Sequence, residues 1–146
     1  MSILLSKSSL RWTLSSPRLV PRFMATYEGS CLCKSVRFSL LTEPSLVSHC
    51  HCSMCRKGHG AAFATYVTID KASVRFLAGS DNLTAYNSSS TILRKFCATC
   101  GSNVEWSGHP RYPQLIAIPL ALLDTPYAPS SIEQFFPESQ VSWCRI

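Results

Sequence analysis

Apolar residues alternate with polar or small ones along most of the chain beyond residue 27, as in residues 35–40 and 63–69. This period of two is typical of strands with one buried face. Pro119 argues against a long helix in the most apolar stretch, residues 114–123. The pattern predicts a mainly β protein with strands at 35–40, 63–69, 73–79, 83–87, 91–96, 103–107 and 114–123, and short strand-like segments at 132–136 and 141–143.

Length and composition indicate a single globular domain. The chain has 146 residues, of which 46% are hydrophobic and 15% are charged. This length is enough for one hydrophobic core, and the composition is that of a folded protein. No run of eighteen or more apolar residues occurs, which argues against a membrane span.

The positive charge is concentrated at the start of the chain. Four of the fourteen Lys and Arg residues lie in residues 1–26, which contain no acid. Residues 27–146 therefore hold ten Lys and Arg against eight Asp and Glu, a net charge of +2 that makes nucleic acid an unfavoured partner. A leader rich in Ser, Leu and Arg is typical of a mitochondrial transit peptide. We expect residues 1–26 to be a disordered targeting leader; the alternatives are a plain basic tail or translation from Met24, which would leave a cytoplasmic protein.

Seven of the eight cysteines fall into three tight clusters. Disulfide frameworks are typical of small secreted domains, and no secretory signal is visible here. Two cysteines one residue apart also reach unstrained disulfide geometry with difficulty. A redox pair at one cluster would leave the other two unexplained, so the spacing predicts metal binding. The clusters are Cys31 with Cys33, Cys50 with Cys52 and Cys55, and Cys97 with Cys100, while Cys144 stands alone as a predicted free thiol.

Two of the clusters are predicted to form a complete structural zinc site. Structural zinc takes four tetrahedral ligands, commonly as two short cysteine pairs from distant parts of the chain. Cys31 with Cys33 and Cys97 with Cys100 are two such pairs. Gly101 follows the second pair, where positive φ allows a tight turn around the sulfur atoms. Three neighbouring cations are candidates to offset the charge of a four-thiolate site, or are ordinary surface residues: Lys34, Arg94 and Lys95.

The third cluster lies in the stretch HCHCSMCRKGHG, residues 49–60. Three protein ligands and an open fourth position distinguish a catalytic zinc from a structural one. Cys50, Cys52 and Cys55 are therefore predicted to hold a catalytic zinc. A histidine as the fourth ligand is the alternative, and His59 is the best placed of the histidines in this stretch.

Three segments together resemble the glutathione-dependent formaldehyde-activating enzyme family, which also includes centromere protein V. They are EGSCLCKSVRF, HCHCSMCRKGHGAAFATYV and RKFCATCGSNVEW, and the resemblance covers residues 27–146. It implies a β-tent of antiparallel sheets with two zinc ions per chain, one structural and one catalytic. Lys34 departs from the family pattern, since a glycine is common there. The resemblance places the structural ligands at Cys31, Cys33, Cys97 and Cys100 and the catalytic ligands at Cys50, Cys52 and Cys55, as the spacing does.

An open zinc with three thiolate ligands favours a soft donor, such as an incoming thiolate, over hard ligands. The resemblance implies a carbon–sulfur lyase, or S-hydroxymethylglutathione synthase, that joins a glutathione-like thiol to a small carbonyl compound. Arg56 and Lys57 follow the cluster and are the candidate partners of the substrate's carboxylates. Further candidates are Glu105 and His109 for a general base, and Phe63, Tyr66 and Trp106 for the lining of a pocket.

Two other classes of protein also have cysteine-rich zinc sites. Zinc-dependent nucleobase deaminases need a glutamate two residues after the first ligand, and here Cys50 is followed by His51 and Cys52. That function is excluded. The remaining alternative is an interaction module for nucleic acid or protein, in which both zinc ions are purely structural and no turnover occurs.

Overall fold

The computed structural model describes residues 27–144, and the protein in this range is built almost entirely of short strands. Turns of 3-10 helix at Lys71–Ser73, Ser80–Asn82, Leu120–Leu122 and Pro137–Ser139 connect or follow them. The strands and the α-helix are, in chain order, β1 Tyr27–Ser30, β2 Arg37–Leu40, β3 Leu46–Cys50, α1 Ser53–His59, β4 Ala64–Asp70, β5 Val74–Ala78, β6 Leu83–Asn87, β7 Leu93–Cys97, β8 Asn103–Ser107, β9 Leu115–Pro119 and β10 Glu133–Phe135.

The strands form two sheets. A three-stranded sheet has the order β1-β2-β5 and is antiparallel throughout. A seven-stranded sheet has the order β10-β3-β4-β9-β8-β7-β6, and its neighbours are antiparallel except for the parallel pair of β10 with β3. The prediction of a mainly β fold with antiparallel sheets is thus confirmed, with one parallel strand at an edge.

The two faces of the seven-stranded sheet have different roles, because successive side chains of a strand point to opposite faces. Val67 is opposite Val47 and Ile118, and these residues pack with Phe38 and Leu40 of the small sheet in the main core. Cys50 is opposite Ala64 on the other face, and both belong to a second buried cluster. The small sheet therefore covers one face, and the metal-ligand candidates of β3 and α1 lie on the other.

Most predicted strands are present, and the differences have local causes. Residues 114–123 form β9 and then turn into 3-10 helix directly after Pro119, as the proline indicated. Residues 141–143 end in a turn rather than a strand. Strands β1 and β3 and helix α1 are present although the sequence pattern did not predict them. Strand β1 contains Gly29, which interrupts the apolar pattern of a strand. A glycine is needed at this position because an added Cβ would collide with the ring of Phe38.

The predicted targeting leader, residues 1–26, lies outside the described residues, so it stays a prediction. Between residues 27 and 144, no helix is long and apolar enough to cross a membrane.

Candidate metal centres

Cys31, Cys33, Cys97 and Cys100 come together where the two sheets meet. Their sulfur atoms all lie within 4.8 Å of one another. The Sγ–Sγ distance is 3.6 Å between Cys31 and Cys33 and 3.8 Å between Cys33 and Cys97. A tetrahedral site with zinc–sulfur bonds of about 2.3 Å requires sulfur atoms about 3.8 Å apart. The four cysteines therefore fit a closed zinc site, and they would join the β1–β2 turn to the β7–β8 turn.

Two tight turns aim these sulfur atoms at one point. Gly101 has the expected positive φ of 74°, and its N–H donates to the carbonyl of Cys97. Lys34 has a φ of 62°, which explains why a glycine suits this position better. The N–H of Val36 donates to Cys31 Sγ at 3.3 Å. Such N–H donors stabilise the thiolate form that a metal requires.

Serine hydroxyls near the four cysteines also favour thiolates. Ser35 Oγ lies 3.3 Å from Cys97 Sγ, and this hydrogen bond lowers the pKa of the Cys97 thiol. Ser102 Oγ lies 3.2 Å from Cys100 Sγ, and this hydrogen bond, together with backbone hydrogen bonds from Ser102 and Cys33, lowers the pKa of the Cys100 thiol to about 5. Thiolates are the metal-binding form of cysteine, so these neighbours suit a metal site.

Cys50, Cys52 and Cys55 form the second group, and their sulfur atoms also lie within 4.8 Å of one another. Cys50 ends β3, Cys52 caps the N-terminus of α1, and Cys55 is in its first turn. The N–H of Cys55 donates to Cys52 Sγ at 3.4 Å. The helix ends at His59 and is capped by Gly60, whose φ of 59° is the left-handed conformation that glycine favours. Cys50 and Cys55 are buried, and Cys52 is partly exposed, which leaves the cluster accessible from one side.

The histidines of this stretch do not join the three sulfur atoms; within residues 27–144 the group consists of cysteines alone. His59, the predicted best candidate for a fourth ligand, instead bonds to the hydroxyl of Tyr66. The histidine ring nitrogens lie 2.9 Å from Thr65 Oγ1 for His49, 2.8 Å from Gln134 Oε1 for His51 and 2.8 Å from Tyr66 Oη for His59. Among residues 27–144, no fourth ligand atom joins these three sulfur atoms.

Arg94 and Tyr66 contact the three-cysteine group through Cys55. Arg94 Nη2 lies 3.8 Å from Cys55 Sγ, and the Tyr66 hydroxyl lies 4.0 Å from the same atom. Arg94 Nε donates to Ser88 Oγ at 3.1 Å, which fixes the guanidinium. Hydrogen bonding with Cys50, together with Arg94, lowers the pKa of Cys55. The place of Arg94 in the sequence, three residues before Cys97, suggests a role at the four-cysteine group, but Arg94 contacts the three-cysteine group instead.

Arg94 and Lys95 separate because neighbouring side chains of β7 point to opposite faces of the sheet. Arg94 is opposite Trp106 and faces the three-cysteine group, whereas Lys95 is opposite Glu105. Lys95 Nζ and Glu105 Oε2 form an ion pair at 2.9 Å, and Glu105 is only 9% exposed. Glu105 is therefore ion-paired with Lys95 on the face of the sheet opposite to the three-cysteine group. This position argues against the role of general base that the sequence suggested for it.

The remaining predicted site residues differ in their contacts and exposure. Arg56 Nε donates to the carbonyl of His51 at 3.0 Å, so this side chain is anchored at the base of α1. Lys57 is exposed. Tyr66 and Trp106 pack with the buried cluster that contains Cys50 and Cys55. Two others take different neighbours: Phe63 lies against the rings of His49 and His51, and His109 lies against Trp106 and Tyr112. Cys144 joins neither cysteine group, as expected.

The two sulfur groups predict the metal content. Protein purified without a chelator should contain about two zinc ions per chain, because one group offers a closed four-ligand site and the other three soft ligands. Elemental analysis would measure this. A reproducible content of about one ion, with Cys50, Cys52 and Cys55 open to alkylation, would contradict the second site.

Comparison with known proteins identifies relatives over nearly the whole described range. The profile of the glutathione-dependent formaldehyde-activating enzyme family matches residues 26–143. A Halomonas elongata protein, described as a candidate glutathione-dependent formaldehyde-activating enzyme, is 30% identical over 128 residues, 82% of this chain and 80% of its own. An uncharacterized lyase of Schizosaccharomyces pombe is 36% identical over 81 residues. That match covers 56% of this chain, which spans only 57% of the yeast protein's length.

A solved structure has the same fold. The crystal structure of a Rhodobacter sphaeroides protein superposes with a TM-score of 0.57 at 26% sequence identity. The superposition covers 73% of this chain and 98% of the bacterial protein. The family profile, residues 26–143, contains both sheets and both cysteine groups.

Proposed function

The chain belongs to the glutathione-dependent formaldehyde-activating enzyme family, and from this membership we propose that it is a zinc-dependent carbon–sulfur lyase. Its substrates would be a glutathione-like thiol and a small carbonyl compound, as in an S-hydroxymethylglutathione synthase. The observation that carries the proposal is the group of Cys50, Cys52 and Cys55, which has three converging sulfur atoms and no fourth ligand from the described chain.

Zinc held by Cys50, Cys52 and Cys55 would be a soft centre that favours a thiolate as its further ligand. The chain's own residues supply the surrounding charge and hydrogen bonds. The Arg94 guanidinium, 3.8 Å from Cys55 Sγ, offsets negative charge at the sulfur atoms. Burial raises the pKa of Tyr66, so its hydroxyl stays protonated and can donate to an oxygen in the site.

The reaction needs neither oxidant nor reductant. In the direction of addition, the substrate sulfur loses its proton and forms a bond to the carbonyl carbon. The electron pair of the carbonyl double bond moves to oxygen, which takes up one proton and becomes a hydroxyl. In the lyase direction the carbon–sulfur bond breaks, the carbonyl re-forms, and the sulfur recovers a proton. We propose that the Tyr66 hydroxyl hydrogen-bonds to this oxygen while the charge develops.

Calorimetry with glutathione and S-methylglutathione tests the proposal. The methyl group blocks the sulfur from becoming a thiolate, so S-methylglutathione should bind at least about tenfold more weakly. Glutathione binding should release a proton and strengthen as the pH rises, because the ligand enters as a thiolate. Equal affinity for the two compounds, or no binding of either, would favour the interaction-module hypothesis instead.

Arg56 and Lys57 are proposed to meet the carboxylates of the substrate. Lys57→Ala should therefore weaken glutathione binding by a few-fold, about 0.5–1 kcal/mol, while leaving a simple alkyl thiol unaffected. Arg56→Lys keeps the charge but loses the planar fork, so it should have a similar effect. Lys71→Ala removes the same charge from the 3-10 turn Lys71–Ser73, outside the three cysteine segments, and serves as the control. A loss in Lys71→Ala equal to that in Lys57→Ala would reject the assignment.

A further inference from the structure

The Tyr66 hydroxyl, which faces the three-cysteine group, is in contact with the imidazole of His59. His59 Nε2 lies 2.8 Å from Tyr66 Oη. The two rings are perpendicular, with an angle of 89° between their planes and a centroid distance of 5.2 Å. His59 is the last residue of α1, the helix that also carries Cys55. The same short helix therefore places a metal-ligand candidate and an imidazole on either side of one hydroxyl group.

The position of Cys55 determines which atom donates in the hydrogen bond between His59 and Tyr66. Tyr66 Oη lies 4.0 Å from Cys55 Sγ, and its O–H is oriented as the donor toward that sulfur. A metal-bound cysteine is a thiolate, which can only accept. The single hydroxyl proton of Tyr66 therefore points toward the three-cysteine group, and His59 Nε2–H must donate to Tyr66 Oη. A hydroxyl that accepts one hydrogen bond becomes a stronger donor in the next.

Tyr66 and His59 differ in their access to water. Tyr66 is only 6% exposed, whereas His59 is partly exposed. Within residues 27–144, His51 Nδ1 is the one fully buried side-chain nitrogen or oxygen that lacks a hydrogen-bond partner. His59 Nδ1 has no partner in this range either, so it is not fully buried and can accept a hydrogen bond from water. Burial lowers the pKa of His59, which keeps the ring neutral with one N–H. His59 thus connects a buried hydroxyl with solvent.

We propose that His59 is a positioning residue for the reaction: it directs the Tyr66 hydroxyl toward the substrate oxygen and relays protons between this hydroxyl and solvent. This inference rests on the proposed function, because it requires the carbonyl oxygen to lie at Tyr66. A neutral imidazole is suited to such a relay, since one ring nitrogen donates while the other accepts.

The relay balances the protons of the reaction. During addition, Tyr66 O–H gives its proton to the carbonyl oxygen as the carbon–sulfur bond forms. His59 Nε2 replaces that proton, and His59 Nδ1 takes one from solvent, so the ring stays neutral and changes its tautomer. The proton taken from solvent balances the one that the thiol released. In the lyase direction each proton moves back along the same path.

Two substitutions of His59 separate its positioning from its relay role. His59→Gln retains an N–H donor for Tyr66 Oη but cannot pass a proton on, whereas His59→Ala loses both functions. The rate of exchange between glutathione with formaldehyde and S-hydroxymethylglutathione, followed by NMR, measures kcat. We expect kcat to fall about tenfold in His59→Gln and about a hundredfold in His59→Ala. Glutathione affinity and zinc content should be unchanged in both variants, because neither depends on the substrate oxygen.

A double-mutant cycle tests whether His59 acts through Tyr66. Tyr66→Phe should lower kcat, and adding His59→Ala to it should cause no further loss, since there is no hydroxyl left to direct. Tyr86→Phe removes an exposed tyrosine hydroxyl from β6 and is the matched control, with wild-type kcat expected.

The outcomes separate the relay from the proposed function. If the wild-type protein does not accelerate the exchange, the proposed function fails and the relay fails with it. If it does, wild-type kcat in His59→Gln or His59→Ala would overturn the relay while the proposed function stands. An equal loss from His59→Ala in the presence and absence of the Tyr66 hydroxyl would also overturn it.

Discussion

Cys97→Ser is expected to abolish stable folding, whereas Cys52→Ser should leave a folded protein that has lost one metal site. Cys97 is fully buried and belongs to the cysteine group that joins the two sheets. Binding of structural zinc contributes roughly 10–16 kcal/mol in small domains, whereas whole domains are stable by only about 5–15 kcal/mol. Loss of a ligand from the closed site therefore removes a contribution comparable to the entire stability.

Cys52 contributes much less to the stability of the fold than Cys97. It caps a helix of seven residues, and a cap contributes only about 1 kcal/mol. The serine hydroxyl can still accept from the helix N–H groups, so the cap survives the substitution. Cys52→Ser should thus retain the structural zinc and lose thiol binding.

Circular dichroism during urea unfolding, combined with metal analysis, measures both effects. Cys144→Ser is the matched control, because Cys144 is a partly buried cysteine outside both groups. It should unfold like the wild type with full metal content. Similar unfolding curves for Cys97→Ser and Cys52→Ser would show that the four-cysteine group does not hold the sheets together.

The sequence was sufficient to predict most of the strands and both cysteine groups. Strand alternation and metal-ligand spacing are local patterns, and each can be recognised within a short segment, such as residues 63–69 for a strand and 97–100 for a ligand pair. Strand β3, Leu46–Cys50, was missed because its two terminal residues, His49 and Cys50, were assigned only to the metal motif. Helix α1 had a usable signal, since Gly60 marks its end, but seven residues are too few for a clear helical period.

The environment of each site could not be predicted in the same way. Arg94 lies three residues before Cys97, yet it contacts Cys55, thirty-nine residues away in the chain. The face of the sheet on which a strand residue lies depends on the pairing register of the strands. This register cannot be deduced from the local sequence. The contacts among the rings of Trp106, His109 and Tyr112 have the same origin, because Trp106 comes from β8 and the other two come from the loop that follows.

The second large expected effect follows from the position of Arg94. Arg94→Gln should weaken thiol binding by up to about a hundredfold. Zinc with three thiolates carries a net charge of −1, and a bound substrate thiolate would add a further negative charge. The Arg94 guanidinium is partly buried and is anchored by Ser88 Oγ at 3.1 Å, so its charge is held near Cys55. Gln keeps a hydrogen-bond donor but removes the charge, so the substitution tests charge compensation rather than packing.

Calorimetry with glutathione and competition with a chromophoric zinc chelator measure this effect in two independent ways. Arg94→Gln should weaken glutathione binding far more than it weakens zinc, because the substrate brings the additional negative charge. Arg94→Lys should fall between the wild type and Arg94→Gln, since it restores the charge without the planar fork that Ser88 orients. Arg75→Gln removes an exposed arginine from β5 of the small sheet and is the control for net charge. An equal loss of glutathione affinity in Arg75→Gln would show that the effect comes from the net charge of the protein. Unchanged glutathione affinity in Arg94→Gln would show that Arg94 does not contribute to thiol binding.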